Sequence, residues 1–250
     1  MDAGPPTRSS SSADATSPGA GASERLLWDL AHELRTPITT IYAGSTMIAR
    51  DDDLLPGMRR ELAEDVSAEA ARLFRTVEDM LVLARIDRGA LVVSREPVAM
   101  GRTVEMAAHL EARRWPSLAI SVRQDGIAHP VLADAGALAH AVRNLVAGVA
   151  WRAHAPTALE IVVTPGTDRV ACRLFDRTGS LTDTDLAGLF DLPTGDPLPG
   201  LPSPGIAMYV ASQLVDAMSG DVWARRVDET VTEIGFTLPR YDAIGAFERR

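Results

Sequence analysis

One segment of the chain repeats small and apolar residues at steps of three and four. The repeating residues are Leu62, Val66, Ala70, Leu73, Val77, Met80 and Ala84. This spacing is typical of a helix seam that packs on a neighbouring helix at a shallow crossing angle. A helix that precedes it, with the apolar stripe Leu27, Leu30, Leu34, Ile38 and Ile41, supplies one neighbour. Because a hairpin of two helices leaves much of the seam uncovered, we expect a homodimeric four-helix bundle. The alternative is a seam packed on the chain's own second domain.

Local composition sets the expected limits of this hairpin. Residues 1–23 consist mostly of Ser, Ala, Gly, Pro and Thr, which predicts a disordered leader, with the first helix beginning at Ser23 or the next residue. The connection between the helices is predicted at Asp51–Asp53 and Pro56–Gly57. Gly89 is a plausible C-terminal stop for the second helix. The expected division is a leader 1–23, a helical domain 24–90, a second domain 91–240 and a tail 241–250.

The first helix carries polar residues suited to phosphate chemistry within the segment Asp29–Thr39. His32 and Glu33 are adjacent, Thr36 follows one turn later and Pro37 comes next. His32 falls between the positions of the apolar stripe, so we expect its imidazole to face water. A neutral imidazole is a nucleophile, a neighbouring carboxylate can accept its proton, and a hydroxyl can position a water. Pro37 removes one helical hydrogen bond and is expected to bend the helix.

The eight residues 31–38, Ala-His-Glu-Leu-Arg-Thr-Pro-Ile, resemble the phosphoacceptor box of the sensor histidine kinases of two-component signalling, in a HisKA-type dimerisation domain. The resemblance implies that His32 is the phosphorylated residue and that Glu33 is the general base of autophosphorylation. It also implies that Thr36 orients the water that dephosphorylates a response regulator. The alternative is an exposed histidine on an ordinary amphipathic helix.

The pattern changes after Leu91 to short strands that alternate with helices. Strands are predicted at Ala119–Arg123, Val131–Ala133, Glu160–Thr164, Val170–Phe175, Val222–Arg226 and Thr232–Leu238. Helices are predicted at Val98–Arg114, Ala135–Ala153 and Gly205–Ser219. Helices gathered on one face of a mixed sheet make a two-layer α/β sandwich, so the expected class is α+β. The order resembles the GHKL-type ATPase domain that histidine kinases share with gyrase, a heat-shock chaperone and a mismatch-repair protein.

The resemblance covers residues 24–240, but its nucleotide boxes are degenerate. Asn144 matches the first asparagine of the asparagine box, which implies binding of ATP and Mg²⁺, whereas Gly148 stands at the second asparagine. Magnesium needs oxygen ligands, and glycine offers no side-chain oxygen. Arg152 could place a positive charge near a phosphate. The alternative for Asn144 is an ordinary polar residue of a helix.

The family's glycine box, which follows the predicted strand Val170–Phe175, is also altered. Asp176 is in place, and the resemblance implies that it accepts the adenine amino group. Thr178 and Ser180 replace both expected glycines, with Gly179 between them. A Cβ at a position that needs glycine's backbone costs on the order of 1–3 kcal/mol. A loop rearranged around Gly179 is the alternative.

The last boxes surround the segment that corresponds to the ATP lid. Leu189–Pro193 resembles the phenylalanine box, and Thr194–Pro204, the lid, contains several prolines and no Arg or Lys for a γ-phosphate. Gly205 is retained where a helix begins, and free amides at a helix N-terminus can bind phosphate. Pro204 removes one of those amides.

Composition excludes several classes of function. A net charge of −9 without a dense basic tract argues against binding nucleic acid. The single cysteine, Cys172, cannot form an internal disulfide and lies in a predicted buried strand. No apolar run reaches the roughly 18 residues of a transmembrane helix, and no signal peptide is evident. We therefore expect a cytoplasmic protein without a membrane span.

Three functions remain open. The intact histidine box beside degenerate nucleotide boxes favours a phosphotransfer or phosphatase module. In it, His32 exchanges phosphate with response-regulator aspartates, and use of ATP and Mg²⁺ is weak or absent. The first alternative is an active sensor kinase that phosphorylates His32 from ATP. The second is a binding-only pseudokinase. The expected partners are a receiver domain and a second copy of the chain, or another histidine kinase in a heterodimer.

Overall fold

The protein begins with a helical hairpin. The structure, a computed structural model, describes residues 18–50, 54–115, 117–153, 157–192 and 204–241. Helices α1 (Pro18–Arg50) and α2 (Pro56–Asp87) pack together. A Cβ added at Gly44 would lie 2.7 Å from Cγ2 of Val66, so glycine permits a close approach. Nearby, the Nη1 of Arg59 donates to the carbonyl of Ile48 at 3.0 Å.

The hairpin's limits differ from the predicted ones. The helix α1 begins at Pro18 rather than Ser23, so the predicted disordered leader 1–23 is wrong for residues 18–23. Proline suits a first helical turn, and the alanines that follow favour a helix. Pro56 and Gly57, predicted as part of the connection, form the first turn of α2 for the same reason. Residues 1–17 and 51–53 lie outside the described chain.

The end of α2 agrees with the prediction, whereas the burial of the hairpin differs in part. Gly89 has φ +61°, and the amide of Ala90 donates to the carbonyl of Arg85 at 2.8 Å, which closes the helix.

Ile38, which the sequence places in the buried stripe of α1, is 51% exposed. Val77 of the seam is 40% exposed. A single hairpin therefore leaves part of both apolar surfaces in water.

The rest of the chain is the predicted two-layer α+β sandwich. Its strands are β1 (Glu96–Val98), β2 (Leu118–Gln124), β3 (Val131–Ala133), β4 (Thr157–Pro165), β5 (Arg169–Asp176), β6 (Asp221–Arg226) and β7 (Thr232–Pro239). Its helices are α3 (Met100–Ala112), α4 (Ala135–Arg152), α5 (Asp183–Ala187) and α6 (Pro204–Ala217). The main sheet has the order β2-β4-β5-β7-β6 and is antiparallel except for the parallel pair β2-β4. Strands β1 and β3 form a separate antiparallel pair.

One face of the main sheet forms the core with α3, α4 and α6. Alternate residues of β4, β5 and β7 point into this core, among them Ile161, Leu174 and Phe236, each 0% exposed. The helix α4 is central, because it packs on both α3 and α6. None of the described helices is long and apolar enough to cross a membrane.

Two short elements were not predicted. Strand β1 is three residues long and pairs only with β3, so its sequence carries no clear period. The helix α5 begins with a capping box, in which Thr182 accepts from the amide of Asp185 at 3.2 Å and the Asp185 carboxylate accepts in return at 2.7 Å. The spacing of Thr182 and Asp185 is a signal that could have located this helix.

Candidate functional site

The predicted phosphoacceptor turn lies within α1. His32 and Glu33 are helical, but their side chains lie outside the described part of the chain, so the exposure of the imidazole stays a prediction. Thr36 is exposed and Pro37 is buried. The helix continues through Pro37, and the hydroxyl of Thr40 donates to the carbonyl of Thr36 at 3.3 Å. The Thr36 hydroxyl is thus accessible to solvent one turn after His32.

Three positions of the predicted nucleotide site share one face of α4. Asn144, Gly148 and Arg152 are separated by four residues each, so they follow one another along the helix. Each of the three contacts a different neighbouring element. Asn144 contacts α2, Gly148 contacts α6 and Arg152 contacts the end of β5.

Arg152 lies against the aspartate predicted to recognise adenine. Its Nη2 donates to Oδ2 of Asp176 at 3.2 Å, and the two side chains are 8% and 1% exposed. Burial lowers the pKa of Arg152, and the Asp176 charge opposes that effect. The second oxygen of Asp176 accepts from the amide of Thr178 at 2.9 Å. Both carboxylate oxygens therefore have internal partners. The prediction that Arg152 supplies charge near a phosphate does not agree with this buried position.

Gly148 lies against α6. A Cβ built at Gly148 would overlap the Cε of Met208, and Met208 is itself 0% exposed. The methionine thus fills the space into which a longer side chain at this position would extend. Methionine adapts to irregular gaps because its chain is unbranched. The position of the missing asparagine is therefore packed with apolar atoms.

Asn144 is tied to the helical hairpin. Its Nδ2 donates to Oδ1 of Asp79 in α2 at 2.8 Å, and Asn144 is 1% exposed. Nε2 of His140 lies 2.7 Å from the same oxygen. The amide that the resemblance assigns to ATP and Mg²⁺ is used in a buried contact between the two domains.

Further ion pairs join α2 to the sandwich beside this contact. Glu111, 0% exposed at the end of α3, accepts from Arg75 of α2 at 3.4 Å and from Arg114 at 2.9 Å. Glu78 of α2 accepts from Arg143 of α4 at 3.2 Å. Burial lowers the pKa of Arg75, and Glu111 opposes the effect. We call these pairs, together with Asp79, His140 and Asn144, the α2 latch.

The altered glycine box forms a compact turn after β5. Gly179 has φ +63°, a conformation that favours glycine, so the positive φ is at the glycine the chain retains. The hydroxyls of Thr178 and Ser180 lie 2.8 Å apart and bond each other across Gly179. The turn after β5 is thus built around Gly179, which agrees with the alternative of a loop arranged around this glycine.

The remaining predicted site residues are only partly described. Gly205 lies in the first turn of α6, as predicted. Residues 194–203 of the predicted lid lie outside the described chain. Leu189 and Phe190 of the phenylalanine box are half-buried and pack on the core. The structure therefore groups Asn144 and Asp176 around α4 and leaves the phosphate end of the site undescribed.

Sequence reasoning missed Asp79 and Met208. Asp79 lies next to the seam residue Met80, and an acid on an amphipathic helix is normally exposed. It is 7% exposed because the sandwich covers it. Met208 follows Gly205 on an apolar helix and looks like an ordinary core residue. The sequence contains no signal for either contact, except that a glycine in the middle of α4 indicates close packing.

Comparisons with known proteins agree with both halves of the chain. Residues 22–89 match the family model of the His Kinase A (phospho-acceptor) domain. A bacteriophytochrome of Pseudomonas aeruginosa is 22% identical over 84% of this chain and 29% of its own length. The signal transduction histidine-protein kinase/phosphatase MprB of Mycobacterium ulcerans is 28% identical over 83% of this chain and 40% of its own. The sensor histidine kinase MtrB of Mycobacterium tuberculosis is 31% identical over 60% and 27%. The chain spans less than half the length of these curated relatives.

Solved structures show the same fold. The histidine kinase AdeS of Acinetobacter baumannii matches with a TM-score of 0.58 and 18% identity, over 84% of this chain and 98% of that one. Full-length ShkA, solved in complex with AMPPNP, matches with a TM-score of 0.59 and 19% identity, over 88% and 46%. The catalytic domain of the histidine kinase ThkA matches with a TM-score of 0.51 and 12% identity, over 59% and 96%. The sandwich is therefore of the histidine-kinase ATPase type.

Proposed function

The chain belongs to the sensor histidine kinase family of two-component signalling, and from that premise we propose that it is a phosphotransfer or phosphatase module with weak or absent use of ATP. In this proposal His32 exchanges phosphate with the aspartate of a response-regulator receiver domain. Thr36 assists hydrolysis, and the sandwich serves as a structural domain. A homodimer formed by α1 and α2 presents the histidines.

The buried pair of Arg152 and Asp176 is the observation that carries this proposal. An adenine amino group would have to reach a carboxylate that is 1% exposed and that already accepts from Arg152 and from the amide of Thr178. Mg²⁺ needs oxygen ligands in octahedral geometry, whereas Gly148 is packed against Met208. Asn144 is 1% exposed, and its amide nitrogen is held by Asp79. The described residues thus do not fit a bound Mg-ATP, and we derive no step through it.

The proposed transfer needs no nucleotide. The imidazole nitrogen of His32 attacks the phosphorus of the regulator's acyl phosphate, an N–P bond forms, and the P–O bond to the aspartate breaks. The aspartate leaves as a carboxylate, and the proton on the attacking imidazole is released to water. In hydrolysis, a water positioned by Thr36 attacks instead and inorganic phosphate leaves. Glu33, which the resemblance assigns to autophosphorylation, has little part in either route.

The experiment uses the full chain and a panel of receiver domains carrying a ³²P acyl phosphate, without ATP. We expect label to appear on the chain, or phosphate to be released faster than from the receiver alone. His32→Gln should abolish transfer, since an amide is no nucleophile. Thr36→Ala should slow hydrolysis and leave transfer largely intact, and Glu33→Ala should change neither. His109→Gln is the matched control, because His109 is an exposed histidine elsewhere.

The other two functions give different results. An active kinase would bind ATP with a micromolar, magnesium-dependent dissociation constant in a titration and would label His32 from γ-³²P-ATP. A binding-only pseudokinase would itself stay unlabelled, and every receiver would lose its phosphate at the rate of the receiver alone, whether or not His32 is present. Either outcome contradicts the proposal.

A further inference from the structure

A groove lies where the hairpin meets the sandwich, next to the contacts of α2 with His140 and Arg143. Its volume is about 720 Å³, and it is bordered by α2, residues 91–93, α3 and the start of α4. Small-molecule sites have volumes of about 300–1,000 Å³. The groove therefore has the size of a ligand site, and its walls come from both domains.

Much of the groove wall is apolar and accessible. Val82 and Leu91 line one side. Met106 and Leu110, on α3, line it with 59% and 55% of their surfaces exposed, and Val92 is 85% exposed. Exposed apolar residues gathered in a concave surface indicate a binding site more than residues scattered singly do. Burying such surface stabilises a complex by about 25 cal/mol per Å².

The charges on the groove are not balanced. Glu78 is paired with Arg143 at 3.2 Å, and Asp134 accepts hydrogen bonds from amides at the start of α4 at 2.9 and 3.0 Å. Arg85 and Arg102 also line the groove and are exposed, and within the described part of the chain neither forms an ion pair. The acids are thus engaged, whereas two guanidinium groups are available to an anion.

A third basic group on the groove is already engaged. The Nε of Arg143 is buried and has no hydrogen-bond partner among the described residues, although its Nη2 contacts Glu78. Arg143 lines the same groove, but its Nε is enclosed by protein atoms and faces no solvent. The exposed guanidinium groups of Arg85 and Arg102 are therefore the ones that an anion in the groove would meet. These two arginines and the apolar wall suit one type of ligand.

We propose that this groove binds a small amphipathic anion, a carboxylate or sulfonate carried on an aromatic or aliphatic body. Arg85 and Arg102 bind the anionic group, since charge-assisted hydrogen bonds to guanidinium are strong. The apolar body lies against Met106 and Leu110. Because such a ligand contacts both α2 and α3, it stabilises the docked arrangement of the two domains. This proposal is independent of the phosphotransfer function.

The test compares two fluorescent probes that differ in one charged group. 1-Anilinonaphthalene-8-sulfonate carries the sulfonate, and N-phenyl-1-naphthylamine has the same rings without it. Replacing Arg85 and Arg102 together by Gln should weaken sulfonate binding on the order of tenfold and leave the neutral probe unchanged. Thr103→Trp, which fills the groove, should weaken both probes. Arg113→Gln, an exposed arginine at the end of α3 outside the groove, should affect neither.

Two results would overturn the proposal. The first is equal affinity of the sulfonate probe for the native chain and the double arginine variant. The second is loss of probe binding in Tyr42→Glu, which would place the probe on the hairpin instead. If Thr103→Trp fails to fold, the arginine variants still decide the outcome, because both residues are exposed and should tolerate glutamine. Octanoate should displace the sulfonate probe, whereas octanol at the same concentration should not.

Discussion

The carboxylate of Asp79 in α2 accepts a hydrogen bond from the amide of Asn144 in α4, with Nδ2 and Oδ1 2.8 Å apart. This bond joins the helical hairpin to the sandwich. It also engages a residue that the family resemblance assigns to nucleotide binding. One contact thus restrains the domains and occupies part of the predicted ATP site.

A double-mutant cycle measures this contact. Asp79→Ala, Asn144→Ala and the double variant should show a coupling energy of about 1–3 kcal/mol in urea unfolding, because each single change leaves a buried polar partner. The pair Arg60 and Glu64, exposed on α2 at 3.0 Å, is the control and should couple by no more than about 0.5 kcal/mol. Additive effects of Asp79 and Asn144 would contradict a buried bond between the domains.

Arg152 and Asp176 should depend on each other for stability. Arg152→Met leaves a buried carboxylate without its counter-ion, so we expect the free energy of unfolding to fall by about 3–5 kcal/mol. Arg152→Met combined with Asp176→Leu should recover much of that loss, since an apolar pair needs no compensation. Arg177→Met is the control, because Arg177 is half exposed and 3.9 Å from Glu160. A single variant as stable as the native chain would show that the carboxylate reaches water.

Restoring the family's asparagine at Gly148 should destabilise the fold. Gly148→Asn overpacks the contact with Met208, which should cost about 1–3 kcal/mol. Met208→Ala alone leaves a cavity and should cost about 2–5 kcal/mol. The double variant should lose less than the two single losses together, because the asparagine enters the vacated space. Strict additivity in denaturant unfolding would mean that the two side chains do not compete for one volume.

The hairpin should form a homodimer through its uncovered apolar residues. Ile38 and Tyr42 lie one turn apart on α1, and Val77 and Leu81 one turn apart on α2, all between 40% and 71% exposed. Tyr42→Glu with Leu81→Glu should convert the full chain to a monomer in light scattering. Ile127→Glu, a change at a residue 78% exposed on the sandwich, should leave the dimer intact. A native chain that is monomeric at micromolar concentration would sink the prediction.

The N-cap of α4 should make stability depend on pH. Hydrogen bonds from the amide of Ala137, with further bonds from Ser94 and Gly136, lower the pKa of Asp134. A lowered pKa stabilises the fold above the unfolded value of about 3.9, and this stabilisation is lost as pH falls through the folded value. Asp134→Ala should therefore cost about 1 kcal/mol at neutral pH and less below about pH 4. Asp134→Asn, which caps without titrating, should remove the contribution of this residue to the pH dependence and keep most of the stability.

Much of the architecture could be predicted from local pattern. The spacing of the seam from Leu62 to Ala84 indicated a helix, and the strands predicted at Glu160–Thr164, Val170–Phe175 and Thr232–Leu238 lie within β4, β5 and β7. Gly89 marked the end of α2 because a positive φ there favours glycine. Errors occurred where short elements or helix ends lack a period, as at β1 and at Pro18.

The contacts that change the interpretation of the site could not be predicted in this way. By itself the sequence determined that Asn144 and Asp176 keep their places and that the second asparagine is Gly148. It did not show that Asp79, Arg152 and Met208 fill the space around them. These partners are 65, 24 and 60 residues distant along the chain from Asn144, Asp176 and Gly148. The periodicity of a sequence indicates which face of a helix or strand is buried. Which side chain packs against that face depends on how elements distant in sequence pack together, and only the tertiary structure contains that information.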